Sequence, residues 1–453
     1  MKVMRYRYGL IPVLITGMLL VAGFSVIEGG LLMGKYSYDD FETPVYCGSC
    51  HTDFLRQWEQ AMMSQAYTHH WDEIEYFDLA VAHGEQDTAF KTAHEGCNGC
   101  HTPLAFMAGD IPPPKPSENS RANESVSCEV CHLISDYEAD TPFNFNFVVN
   151  PGKTKYSSRK GEVKSPDHEI VLSELHSKAE LCGICHNEKN SFGIWVKSTH
   201  LEWMAGPYAR EGVTCQTCHM PPAKGKTAKM GAEYDDARQH LFHGAHDPGK
   251  VGGTIEVRIH PDLRKTVLGE TVVFTVALFN QKTGHKFPTG SVEDRIAWLH
   301  VEAEDAAGNV YPLPVDEKGF DGEEYTIASD ELAYVDMGVP LDIKDFKGVQ
   351  RDGVPVGDRI FRMPFFDENG IMTIMQWNTR SLGKDYRIGP RETVLETYTF
   401  RIPYDAEPGK MTVTAVMNYQ LLVKPVADFL GVPEEESEIM EVNRHSTTIE
   451  IFP

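Results

Sequence analysis

The sequence predicts an α+β multidomain chain: a mostly helical and irregular first part, then a β-sandwich, with a transmembrane helix at the N-terminus. Three observations predict it. An uncharged stretch runs from Gly9 to Ile27, all ten Cys fall between residues 47 and 218, and alternating apolar residues begin near Gly252. An immunoglobulin-like arrangement is one form the sandwich could take.

The N-terminus opens with Lys2, Arg5 and Arg7, followed by the nineteen uncharged residues 9–27. That length matches the roughly 20 apolar residues needed to cross a bilayer. The flanking cations keep the start in the cytoplasm, so the rest is exported. Val21-Ala22-Gly23 is a weak cleavage site, and the apolar run continues past it. Residues 1–34 therefore read as a retained signal anchor, with a cleaved signal peptide as the alternative. The expected location is single-pass in the membrane, with the bulk in the periplasm or extracytoplasmic space.

Residues 35–250 hold every cysteine, and each belongs to a Cys-x-x-Cys-His motif: Cys47/Cys50/His51, Cys97/Cys100/His101, Cys128/Cys131/His132, Cys182/Cys185/His186 and Cys215/Cys218/His219. Chance would supply roughly 0.009 such motifs at this composition. The spacing has a chemical cause, because two thiols can bond the vinyl groups of one haem while the adjacent imidazole binds its iron. Paired Cys-x-x-Cys zinc sites and disulfide hairpins would not need a His after each pair. Five covalent c-type haems, and hence iron, are expected, and such attachment occurs outside the cytoplasm.

The motif starts are 50, 31, 54 and 33 residues apart, a long–short alternation that suggests paired haems. Roughly 40 residues per motif leave too little chain for an ordinary apolar core, so the first part should be haem-packed. Asp53 to Tyr67 lacks Pro and Gly and carries Phe54, Leu55, Trp58, Met62 and Ala66 at helical spacing,. Pro112-Pro113-Pro114 and Pro116 mark an extended loop, and Pro221-Pro222 closes the last motif segment,.

Residues 251–453 read as the β-rich domain. Ile255, Val257 and Ile259 alternate with polar residues. So do Val272-Phe274-Val276-Leu278, Ile296-Trp298, Tyr398-Phe400-Ile402, Met411-Val413-Ala415 and Ile449-Ile451,. Between Glu302 and Asp345, thirteen acids stand against two lysines, which reads as a solvated loop region with a calcium site as the alternative,. The formal charge of −24 argues against nucleic acid as a partner and suits a basic redox partner,.

Each iron needs a sixth ligand if it is to be a low-spin carrier. Ten further histidines lie within or just past the motif region: His69, His70, His83, His94, His168, His176, His200, His240, His243 and His246. His168 and His176 are candidates by proximity to the fourth motif. Several stretches resemble the cytochrome c-554-like superfamily of multihaem proteins: Cys47 to Tyr67, Cys182 to Asn187, Tyr208 to Pro221, His240 to His246, and Thr283 to Gly290. The resemblance implies His240 and His246 as iron ligands. It also puts Met63 where relatives carry a ligand His, leaving a thioether ligand or core packing as its two readings. His285, in a Gly-flanked turn, reads as a plain turn residue, with a ring facing a haem edge as the alternative.

Electron transfer is the expected function, as a module or subunit of a respiratory chain. Its partners would be redox proteins or a membrane respiratory complex, with quinol as an option. A reductase or oxidase of a small nitrogen or sulfur compound, and a subunit of an extracellular cytochrome filament, are the alternatives. The sequence assigns no catalytic residue.

Overall fold

The computed structural model describes residues 32–159, 165–317, 333–338 and 346–453. The transmembrane expectation for residues 9–27 lies outside them, as does much of the acid-rich run. Among the described residues no helix is long and apolar enough to cross a membrane.

The first part is a series of short helices and two-stranded ribbons. Five helices carry or lead into the motifs: α1 (Pro44–Gly48), α2 (Ala93–His101), α3 (Cys128–Leu133), α4 (Glu180–His186) and α5 (Cys215–His219). A helical turn puts two Cys three residues apart on one face, with the His following directly. The helix expected over Asp53–Tyr67 is broken in two, Thr52–Trp58 and Met62–Gln65. Trp58 Nε1 donates to Val126 O (2.9 Å), and Ala61, extended and buried, turns the chain. That tertiary anchor overrides the local helical spacing.

The cores here are small. One gathers Phe41, Leu104, Phe106, Val130, Leu133, Phe145 and Ile184 around the third and fourth motifs. Tyr67, Tyr76, Ala105 and Ala122 form another.

The second part forms two facing sheets. One is ordered β7-β3-β1, from β1 (Ile255–Pro261), β3 (Thr271–Asn280) and β7 (Thr393–Arg401). The other is ordered β2-β9-β8-β4-β5, from β2 (Lys265–Val267), β4 (Ile296–Glu304), β5 (Val310–Pro312), β8 (Gly409–Gln420) and β9 (Ile439–Phe452), with β6 (Arg359–Phe361) also on β4. All pairs are antiparallel except β2 with β9. Val257, Val276, Leu278, Tyr398, Leu299, Val413 and Ile449 meet in one buried core drawn from both sheets. Each fully buried aliphatic or Phe side chain contributes about 1.5–3 kcal/mol. The period-two residues picked out on β1, β3, β7, β8 and β9 pack in or against this core, whereas Ile296 and Trp298 on β4 face the other way, into a second core with Trp71, Leu79 and Phe90.

The two parts are tied together by buried polar contacts. Arg387 pairs with Glu202 (2.7 Å), Trp71 Nε1 donates to Asp294 (3.2 Å), and Trp377 Nε1 donates to His83 Nδ1 (3.1 Å). Asn190 donates to the carbonyls of Gln376 and Thr379.

Candidate haem sites

Four of the five motif histidines are fixed in the same way. Nδ1 of His51 donates to Thr227 O (2.5 Å), of His101 to Ala66 O (2.6 Å), of His132 to Tyr156 O (2.7 Å) and of His219 to His243 O (2.7 Å). Tying Nδ1–H to a carbonyl sets the tautomer and leaves Nε2 as the free lone pair, as a metal-ligating imidazole requires. Burial pushes His132 down to about 3 and His186 and His219 to about 4, so these rings are neutral, the ligating form,.

Three motif rings face a second imidazole. His51 and His168 have centroids 6.1 Å apart and planes 32° apart; His132 and His240, 6.4 Å and 20°; His219 and His285, 6.4 Å and 18°. An iron bonded at about 2 Å to each of two imidazole nitrogens sets the centroids roughly 6 Å apart. Nδ1 of His240 donates to Arg238 O (2.9 Å) and Nδ1 of His285 to Lys286 O (2.9 Å), so their Nε2 atoms are also free. The residues fit haem c at these positions.

Local structure explains each partner. Ser165 Oγ accepts from the amides of Asp167 and His168, and the strand Glu169–Leu172 that follows pairs with Thr154–Ser157, which supplies the Tyr156 carbonyl to His132. His240 is held by Gln57, which accepts its amide (2.7 Å), and by the Phe54 ring at 4.4 Å. Asn280, at the end of β3, accepts from Thr283 and donates to the carbonyls of His285 and Ile388, presenting His285 toward the last motif. The plain-turn reading of His285 is corrected: the turn is real, and it aims the ring at His219. Thr283-Gly284-His285 was the available signal.

The other named candidates are placed differently. His176 lies 6.0 Å from the His132 ring, but its Nε2 donates to Cys131 O (3.0 Å) and its buried Nδ1 has no partner. Met63 sits in Met62–Gln65, half-buried, its carbonyl accepting from Val126 N (3.0 Å), while the position facing His51 is held by His168. His246 lies beside His69, ring centroids 5.1 Å apart at 89°, and next to Glu436. His200, one of the ten further histidines, is buried with Nδ1 near Asn187 (3.2 Å) and Nε2 unpartnered. Gly183 makes room for it, since a Cβ there would lie 2.7 Å from the His200 ring.

His101 and His186 face no second imidazole at this distance among the described residues. The surroundings of His101 are polar: Asp72 Oδ1 is 3.3 Å from its Nδ1, and Glu75, Tyr76, Asn98 and Gln376 line the adjoining space. Burial raises Glu75 to about 8, against the pull of Lys197. Lys197 itself lies 3.4 Å from Glu293 and 3.5 Å from Glu188. Burial would lower His101, but Asp72 more than reverses it, to about 9.

The thiols show which motifs adjoin. The thiol of Cys47 lies beside that of Cys128, Cys100 beside Cys185, and Cys182 beside Cys215, all of them free thiols. The neighbouring motifs are thus one with three, two with four, and four with five, an order that differs from the alternation of long and short spacings along the chain.

The ten motif thiols are not equally enclosed. Cys50 and Cys218 are exposed, whereas the other eight are half-buried. Both are the second Cys of their motif, in the first and the last of the five. Cys50 lies in the turn just past α1, where its carbonyl accepts from Lys229 N (2.9 Å). Cys218 lies near the end of α5, where its carbonyl accepts from Lys250 Nζ (2.6 Å). In each case the backbone is held and the side chain is left at the surface.

A family model described as Cytochrome c554 and c-prime matches residues 46–133. The structure of a penta-heme cytochrome c552 from Thermochromatium tepidum is 17% identical, with a TM-score of 0.61, over 90% of this chain and 99% of that one. The sporulation control protein Spo0M from Bacillus subtilis is 14% identical, with a TM-score of 0.17, over 44% of this chain and 49% of that one. No curated protein matches. The chain shares the fold of that penta-heme cytochrome, a helical cytochrome-like part followed by a β-rich part, and matches a cytochrome c family model over residues 46–133.

Proposed function

We propose that this chain carries electrons through five covalent haems on the outer side of the membrane, as a module or subunit of a respiratory chain. When bound, haem c supplies reversible one-electron chemistry. The residues would do the rest: ten thiols would hold the groups, and the five motif imidazoles together with His168, His240 and His285 would supply nitrogens to the irons. The exposed Cys50 and Cys218 keep their attachment role in this reading, since a surface thiol can still bond a vinyl group at the rim of the unit,. The observation that carries this reading is the set of three facing imidazole pairs, each with Nδ1 tied back and Nε2 free. His168 shows the weakest tie, its Nδ1 being 3.4 Å from Glu169 O.

Residues 35–250 form the haem-bearing unit in this reading and 251–453 the sandwich, with residues 1–34 as the anchor. For the irons of His101 and His186, Met63, His176 and His200 are the donors we put forward. Redox proteins or a membrane respiratory complex are the expected partners, with quinol as one donor and nucleic acid excluded on charge.

Intact-mass measurement of the matured chain should show five haems. In electron paramagnetic resonance, replacing His168, His240 or His285 singly by Ala should each convert one low-spin ferric signal to high spin. Unchanged spectra in all three variants would reject the ligand set.

A second reading is favoured by one observation, the lack of an imidazole facing His101 among the described residues together with the acids around it. An iron left open there would admit a small nitrogen or sulfur compound. Ferric wild-type protein that shows a high-spin signal, shifted by cyanide, would support it; fully low-spin protein indifferent to cyanide would exclude it.

A further inference from the structure

We propose that His69, His246 and Glu436 form a non-haem metal site that binds a divalent transition ion of the zinc class where the two parts of the chain meet. The three residues come from distant segments. His69 precedes the helix His70–Ile74, His246 lies in the loop after the last motif, and Glu436 sits in the turn Glu434–Ser437 near the C-terminus.

One ligand atom from each lies within 4.8 Å of the other two. A shared ion at about 2 Å from each would draw them to roughly 3.3 Å apart. His69 Nε2 is 2.7 Å from Glu436 Oε1, and both side chains are 9% exposed. Two imidazoles and one carboxylate are a donor set for zinc or ferrous iron, and a poor one for calcium or magnesium.

The surroundings supply the outer support such a site needs. Asp72 Oδ2 stands 3.4 Å from His69 Nδ1, the nitrogen turned away from Glu436, so that carboxylate, imidazole and ion would lie in sequence,. A simple His–Glu ion pair would not need His246, whose ring is set perpendicular to that of His69 at 5.1 Å. In the three facing pairs the rings stand 6.1–6.4 Å apart with planes 18–32° apart, an arrangement His69 and His246 do not share with each other. An ion here would join residues 69, 246 and 436 and stabilise the folded chain by mass action.

The test uses the full haem-loaded protein, whose thiols are consumed by attachment and do not compete. After incubation with zinc and desalting, elemental analysis should find one zinc per chain beyond the haem iron. His69→Ala and the isosteric Glu436→Gln should each lose that zinc while haem content and visible spectrum stay unchanged. A chelator should lower the melting temperature of wild type, zinc should restore it, and neither should move Glu436→Gln. Two results would overturn the proposal. One is no stoichiometric uptake of zinc and no ion retained from purification. The other is a high-spin signal in His246→Ala, which would make His246 a haem ligand. Neither result bears on His168, His240 or His285, so the haem reading would stand or fall separately.

Discussion

A histidine becomes an iron ligand through what holds its other nitrogen. The carbonyls of Thr227, Ala66, Tyr156 and His243 each take one Nδ1–H, and all four come from segments remote in sequence from the ring they orient. His101 differs because Asp72 adds a carboxylate at 3.3 Å. A negative charge behind a ligand favours the ferric state. Asp72→Asn should therefore raise one midpoint potential in a redox titration and leave the others in place; no change would remove Asp72 from the account. Met63 offers a second test at this scale. As a thioether ligand it would give a weak near-infrared charge-transfer band in the oxidised protein, lost in Met63→Ala. Wild-type protein without that band would make Met63 a packing residue.

Elements explain why the chain can present such residues without a large helical core. The motif helices are five to nine residues long and draw stability from packing, since helices this short are marginal alone,. The sandwich is built conventionally, and its centre should behave so. Phe274 is fully buried on β3, and Phe274→Ala should cost about 3–5 kcal/mol in denaturant unfolding while haem content is kept,. On β4, His300 Nδ1 lies 2.9 Å from Asp358, and that bond holds the imidazole protonated above its ordinary range against the effect of burial. A raised folded-state value gives stability that is full below about pH 6.5 and lost as pH rises through the folded value. His300→Gln should flatten that part of the stability–pH curve, and an unchanged slope would refute the assignment. The period-two strands were legible in the sequence because half-buried strands carry their burial locally. The helix break at Ala61 was not, because it depends on Trp58 reaching Val126 O.

At the scale of the whole molecule, the β-rich part proves to be more than an appended module. It places His285 opposite His219 and Glu436 beside His69, and it seals the first part through Arg387 and Trp377. The thiol neighbours one–three, two–four and four–five join the motifs into two groups, the first and third together and the second, fourth and fifth together. The charge of −24 should speed encounter with a basic partner,. Electron transfer to a cationic redox protein should slow as ionic strength rises, because screening at 0.1 M already acts over about 10 Å. A rate independent of salt would mean that the acidic surface plays no part in docking.

The sequence by itself determined what covalent chemistry writes locally. Cys-x-x-Cys-His needs only five consecutive residues, so the ten thiols and five motif imidazoles could be read directly, as could the change to period-two strands after Gly252. Only the tertiary structure decided which thiols are half-buried and which, Cys50 and Cys218, stay at the surface. It alone decided, too, which imidazole faces which. His168, His240 and His285 lie 117, 108 and 66 residues from His51, His132 and His219, and their placement follows from a turn at Ser165, a bond to Gln57 and an Asn280 anchor. A sixth ligand requires one nitrogen at one point in space, and any segment that folds to that point can supply it. Spacing along the chain therefore carries little of that information, and the fold carries the rest.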